Sequence, residues 1–203
     1  MTVDQEGVLR RYAAAVERAH AELTELDRHS GDGDFGDNLR GGLRDALRRY
    51  EKFGGAPFAA LSEVFLDEVG GTSGPLFGLL FSELARALEA DGSVRGWADG
   101  TAAGLAAIQR VGEAEVGDRT LVDALSPAAG ALREGGDSAF ARAAEDASKA
   151  AAATADLRAR MGRASYVGDR AKGGADPGAL GVALLFQAIA EGAFEKGAAR
   201  GAE

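Results

Sequence analysis

The chain has no cysteine, which removes disulfides, thiolate nucleophiles and thiolate metal sites from consideration together. Nothing near Met1 has the basic-then-apolar order of a secretory signal, so a cytoplasmic location is the default expectation. No uncharged apolar stretch reaches the roughly 20 residues that cross a bilayer. The best candidate, around Leu180 to Ala190, reads as a buried helix instead. Basic charge is in deficit: 23 Lys and Arg against 32 Asp and Glu give a net charge of −9. Such a surface repels a duplex nucleic acid or an anionic membrane, and any phosphate must be bound locally, against the field of the whole protein. β-Branched residues are scarce, prolines number four, and no segment demands the alternating hydrophobicity of a half-buried strand.

What the chain does have is alanine, leucine and glycine. A length of 203 residues with 46% hydrophobic content fits one domain, spanning 1–203, with a single substantial core. Leu9, Tyr12, Val16, Leu23 and Leu26 recur at helical spacing, which predicts a first helix ending near Asp27 to Ser30. Further helices are expected from about Asn38 to Phe53, Phe58 to Glu68, Ser73 or Gly74 to Ala90, and Gly96 to Val111. A sixth opens at Thr120, whose hydroxyl can cap free amides, and carries Leu121, Leu125 and Leu132 inward. The alanine-rich run between Ser138 and Met161 has very high helix propensity. Pro177 suits the first turn of a last helix that carries Leu180, Leu184, Phe186 and Ile189. The expectation is an all-α fold of about eight amphipathic helices separated by glycine-rich turns.

Chemistry concentrates in Leu26-Asp27-Arg28-His29-Ser30-Gly31-Asp32-Gly33-Asp34-Phe35-Gly36-Asp37-Asn38, directly after the first helix. Carboxylates this crowded raise one another's pKa, and a hard divalent cation with oxygen ligands is the usual reason to tolerate them. The glycines let the turn aim Asp32 and Asp34 at one point, and Asp27 can reach it from the end of the helix. An EF-hand reading fails because the twelfth position of such a loop is Leu43, which cannot chelate. The plain alternative is a solvated acidic turn.

Three other junctions bear on the choice. Val69-Gly70-Gly71-Thr72-Ser73-Gly74-Pro75 precedes an apolar-periodic run, so its amides and hydroxyls lie at a helix N-terminus, where an anion is favoured; an ordinary capped turn fits equally well. Gly117-Asp118-Arg119-Thr120 is a further polar junction, for which a capped turn alone is again a sufficient reading. Gly162-Arg163-Ala164-Ser165-Tyr166 offers a guanidinium whose fork matches phosphate oxygens, although an exposed arginine after a helix is also unremarkable.

In this order, and with Gly117 to Leu125 and Asp176-Pro177-Gly178-Ala179 added, these segments resemble the L subunit, or nucleotide-binding domain, of dihydroxyacetone kinases, over roughly Asp27 to Gly181. The resemblance implies a barrel of eight antiparallel helices whose loops at one end hold ADP or ATP, with two Mg²⁺ ions between three aspartates and the phosphates. Asp27, Asp32 and Asp34 occupy the metal-ligand positions. Phe35, Gly36, Asp37, Asn38, Gly71, Thr72 and Ser73 fall where phosphates are contacted, and Arg163 where their charge is neutralised. Gly117, Thr120, Ser126, Asp176, Pro177 and Gly178 fall around the nucleoside.

Phosphoryl transfer needs positioning and charge neutralisation rather than a protein nucleophile. The resemblance implies that the ketose sits on a separate K subunit, bound there through a histidine, with ATP or a phosphoprotein of the sugar phosphotransferase system as phosphoryl donor. His20, within a helix, and His29, beside the acidic turn, are not assigned that role. Two departures stand out: Phe35 replaces the histidine usual in the family and cannot offer a ring nitrogen, and Asp37 adds charge where an uncharged residue is common. They motivate two further readings, a kinase component for another keto-sugar such as a tetrulose and a non-catalytic nucleotide-binding regulatory partner. A structural helical domain with a bound cation is the last alternative.

Overall fold

The computed structural model describes the backbone of residues 2–200 and side chains through residue 193. Met1 and residues 201–203 of the expected 1–203 domain lie outside the described residues. The described residues form helices without a strand: α1 (Gln5–Ser30), α2 (Phe35–Phe53), α3 (Pro57–Asp67), α4 (Ser73–Ala90), α5 (Val94–Gly112), α6 (Leu121–Glu134), α7 (Ala139–Ala153), the single turn α8 (Ala164–Val167) and α9 (Pro177–Arg200). Two 3₁₀ turns, Thr154–Asp156 and Gly168–Ala171, flank α8. The eight long helices answer to the expected eight.

Several boundaries follow from chemistry legible along the chain. Proline occupies the first turn of α3 and α9, where its missing N–H costs nothing. Ser93 accepts from the Arg95 amide at 3.2 Å, and Thr120 from the Val122 amide at 3.2 Å while its own amide donates to Asp123 at 2.8 Å. Two boundaries are set at a distance. The second helix starts at Phe35 rather than Asn38 because the Phe35 amide donates to Asp27 Oδ2 at 3.0 Å, a cap supplied from α1. The alanine-rich run stops being α-helical at Ala153 although alanine would carry it further. Thr154 there is fully buried and its hydroxyl accepts the Asp176 amide at 2.7 Å, which fixes the chain to the start of α9.

Consecutive helices pack against one another in a closed circuit, α1 to α7 in order, then α9, which returns to α1. Tyr12, Phe58, Phe65, Phe77, Phe81, Trp97 and Phe140 form a chain of edge-on and tilted rings through the core. One long helix departs from the amphipathic expectation. α9 buries Ala179, Val182, Leu185, Phe186, Ala188 and Ile189, spread around its circumference, because α1, α6 and α7 all pack on it. Tyr12 Oη donates to the Gly181 carbonyl at 3.0 Å, pinning α1 to α9 inside the core, and burial pushes the phenol pKa far up. Among the described residues no helix is long and apolar enough to cross a membrane.

Alternating helix direction sends every second junction to the same end. The junctions 31–34, 68–72, 113–120 and 154–176 gather there, and 54–56, 91–93 and 135–138 lie at the other end.

Candidate functional site

All four junctions of the first group open onto one cavity. Its wall includes Asp27, Asp32 and Asp34 from the acidic turn, Val69 to Gly74 from the second junction, Arg119 and Thr120 from the third, and Gly162, Arg163, Asp176, Pro177 and Gly178 from the fourth. Its floor is apolar: Phe35, Leu39, Leu76, Phe77, Ile108, Leu121 and Met161. The cavity is therefore a carboxylate-rich mouth over an apolar base.

The acidic turn is held by its own side chains. Asp27, in the last turn of α1, keeps one oxygen on the Phe35 amide. Gly33 has φ +84, a left-handed conformation that a side chain would strain, and it turns the chain between Asp32 and Asp34. Asp32 pairs with the Arg163 guanidinium across the mouth. Among the described residues no three acidic or imidazole groups converge into a ready-made metal cage. The three aspartates share a void but do not chelate by themselves.

The second junction runs into α4, whose first amides no side chain caps. Its N-terminus faces the cavity through Thr72, Ser73 and Gly74, with Gly71 at φ +77 just before them. An uncapped N-terminus of an 18-residue helix presents free N–H groups and the positive end of its dipole.

The fourth junction carries Asp176. Its carboxylate accepts the Ala179 amide at 2.8 Å and caps α9, and burial pushes its pKa up to about 6, against the pull of that amide and of Arg119.

Of the predicted residues, Asp27, Asp32, Asp34, Phe35, Asn38, Gly71, Thr72, Ser73, Thr120, Arg163, Asp176, Pro177 and Gly178 line the cavity. Four predicted residues do not. Gly36 faces α1, where a Cβ would stand 3.0 Å from the His20 carbonyl oxygen and the Thr24 amide nitrogen. Asp37 turns outward, its Oδ1 2.9 Å from His20 Nε2 and 2.6 Å from Arg40, and the His20 bond holds its pKa below the usual value. The Gly117 amide is taken by Asp123 Oδ1 at 2.6 Å. Ser126 lies beyond the first turn of α6, away from the mouth, and is half-buried. His29 Nε2 lies 3.2 Å from the Lys172 carbonyl and supports the fourth junction.

Sequence reasoning missed Arg119, which is 1% exposed and lines the cavity. Its motif was visible, but an arginine beside a helix cap carries no mark of burial. The apolar floor was missed for a related reason, because Leu76, Phe77, Ile108 and Met161 are indistinguishable in the sequence from ordinary core residues.

Known proteins resemble this chain over most of its length. A family model described as the DAK2 domain matches residues 29–191. The ADP-binding subunit DhaL of PEP-dependent dihydroxyacetone kinase 1 from Listeria innocua is 33% identical over 201 residues, covering 93% of this chain and 97% of that protein. L-erythrulose 1-kinase from Mycolicibacterium smegmatis is 38% identical over 183 residues, 84% of this chain and 32% of that enzyme. The crystal structure of the dihydroxyacetone kinase from C. freundii in complex with AMP-PNP and Mg²⁺ matches with a TM-score of 0.70 and 25% identity, over 94% of this chain and 34% of that one. The chain thus spans about a third of the length of the larger curated relatives it matches.

Proposed function

Since this chain belongs to the DAK2-domain family of dihydroxyacetone kinases, we propose that it is the nucleotide-carrying component of such a kinase, a single domain over 1–203. On this reading it holds ADP or ATP with two Mg²⁺ ions and takes part in phosphoryl transfer to dihydroxyacetone or a similar short ketose. The observation that carries the reading is the meeting of an acidic turn, an uncapped helix N-terminus and an arginine at one mouth above an apolar floor.

The residues fit the ions. Magnesium is usually held by one or two carboxylates together with substrate phosphates and water, rather than by an all-protein cage. Asp27, Asp32 and Asp34 offer only hard carboxylate oxygens, share one cavity and leave the coordination open. When bound, the ions supply neutralisation of the phosphate charge. The N-terminal amides of α4 and the hydroxyls of Thr72 and Ser73 donate to phosphate oxygens, and Asn38 adds an amide donor. Arg163 exchanges its bond to Asp32 for one to phosphate, which keeps its charge compensated in both arrangements. Leu76, Phe77, Ile108, Leu121 and Met161 enclose the base, and Thr120, Asp176, Pro177 and Gly178 border the nucleoside. Gly36 and Gly117 act through the backbone, as a close contact to α1 and as a donor to Asp123. Asp37 and Ser126 have no contact role in this arrangement. Phe35 belongs to the floor beside Phe77, their ring centres 6.2 Å apart. That placement explains how an apolar ring is accommodated there.

The arrangement orients and neutralises a polyphosphate but brings no nucleophile to it, so the ketose is supplied by a K subunit docked over the mouth. The ADP is either exchanged for ATP each cycle or rephosphorylated in place by a phosphotransferase-system protein. A four-carbon ketose is the second reading, favoured by the 38% identity to L-erythrulose 1-kinase.

Calorimetry tests the core of the proposal. ADP should bind in the presence of Mg²⁺, lose affinity on chelation of the metal, and lose it again in Asp32→Ala. Equal binding with and without Mg²⁺, or by the variant and the wild type, would falsify the assignment. Mixing with a K subunit and either dihydroxyacetone or erythrulose then separates the two substrates and excludes a purely regulatory role if a sugar phosphate forms.

A further inference from the structure

Arg119 is among the largest fully buried side chains of the protein, and its burial is unusual in three ways. Its backbone has φ +62, a left-handed conformation unfavourable to any residue with a Cβ. Its charge carries the cost of desolvation, which depresses its pKa, and only Asp176 among its neighbours opposes that effect. One nitrogen does all its bonding: Nη2 donates to the Ala171 carbonyl at 3.0 Å and to the Gly174 carbonyl at 2.8 Å, whereas Nε and Nη1 are buried without a partner. Buried donors are normally satisfied, so the bonds this cation does make, both from Nη2 and both to one segment, are what it contributes within the protein itself.

Both accepting carbonyls belong to the segment 168–176, which ends in the cavity wall at Asp176. That segment is also tied to the 3₁₀ turn after α7 by the Gly173 amide on the Ala155 carbonyl at 2.9 Å and by the Asp176 amide on Thr154. His29 approaches it from α1 at Lys172. Arg119 supplies the link on the remaining side, from the turn 113–120. That turn is itself braced by Asp118, whose carboxylate accepts the Glu115 amide at 2.8 Å.

We infer that Arg119 is a positioning residue of the site: through Nη2 alone it fastens segment 168–176 to the turn 113–120 and so sets the wall formed by Asp176, Pro177 and Gly178. Its effect on ligand binding rests on the proposed nucleotide reading; its effect on the segment does not. The two roles make a specific demand on substitutions. The guanidinium fork is unused, so a single nitrogen with enough donors suffices. Lysine, one bond shorter but with three donors on Nζ, replaces it. Glutamine keeps two donors, uncharged and two bonds short of Nη2, and replaces it only in part. Methionine fills similar volume and replaces none of it.

Hydrogen exchange of the nucleotide-free protein and calorimetry of ADP with Mg²⁺ on R119K, R119Q and R119M form the test. Exchange at 168–176 should stay near wild type in R119K, rise in R119Q and rise most in R119M, with the helical core unchanged. ADP affinity should fall in the same order, by roughly tenfold or more in R119M, the loss expected for two bonds from a charged donor. Faster exchange spread evenly over all helices, or R119K as loose at 168–176 as R119M, overturns the inference. If R119M does not fold, the contrast between R119K and R119Q decides, since equal loosening in both refutes a tether made by one charged nitrogen of sufficient reach. If wild-type protein fails to bind ADP, the proposed function falls, and the exchange pattern still judges Arg119.

Discussion

Replacing Asp176 by asparagine should make the protein progressively more stable than the wild type as pH rises from about 4 to about 7. Burial raises the Asp176 carboxyl from 3.8 to about 6, with smaller contributions in the same direction from the charges of Asp123 and Asp27. A raised folded-state value means that the unfolded chain loses this proton first. Between the two values the folded protein binds more protons than the unfolded one. The stabilisation is therefore present in full below about 4 and is lost as pH passes through about 6. Two pH units at 1.36 kcal/mol each amount to about 3 kcal/mol. A chain of this length shifts its melting temperature by roughly 2–4 °C per kcal/mol, so the gap between variant and wild type should widen by about 6–12 °C over that range. Asparagine keeps an oxygen for the Ala179 amide, so the cap on α9 survives and does not contribute to the pH trend. Thermal melts of both proteins at four pH values, without nucleotide, measure the effect. A constant offset across the series would refute the reasoning, because it would mean that Asp176 does not titrate in the folded protein over that range.

Other perturbations test other links. Gly36→Ala should cost about 2 kcal/mol in denaturant unfolding, because its Cβ would meet the His20 carbonyl and Thr24 and force α1 from α2; an unchanged midpoint would show the contact to be slack. Phe81→Ala should cost about 4 kcal/mol in the same assay, since this fully buried ring packs edge-on or tilted against Tyr12, Phe58, Phe65 and Phe77. A loss below about 1 kcal/mol would mean that the neighbouring rings collapse into the space.

Most of the helices were legible because each has a local cause: helical spacing from Leu9 to Leu26, a proline at 57 and 177, a hydroxyl cap at 120. The boundaries that were not legible depend on partners far along the chain. Phe35 begins α2 on a carboxylate eight residues earlier, and Thr154 ends α7 on an amide 22 residues later. The candidate site divides in the same way. The acidic turn and the two glycine-led junctions announce themselves through residue type. Gly36, Asp37, Gly117 and Ser126 lie in or next to such motifs yet face elsewhere, because direction is set by packing against α1 and by the Asp123 carboxylate. Arg119 lies in a recognisable motif, but nothing in a linear sequence distinguishes an arginine that turns inward.

α9 begins with the residues that finish the cavity wall, and it also closes the circuit of helices onto α1. In the order of synthesis it follows the other described helices. Earlier helices can pair with their neighbours as they emerge, but joining α9 to α1 brings together segments separated by most of the chain, an entropic cost that local pairing does not carry. A nascent chain lacking α9 therefore has the residues of the four junctions but neither Pro177 and Gly178 in the wall nor the helix that holds the ring shut. Whatever occupies the mouth acts as a clasp on the last seam, favouring the closed ring over the open one by mass action.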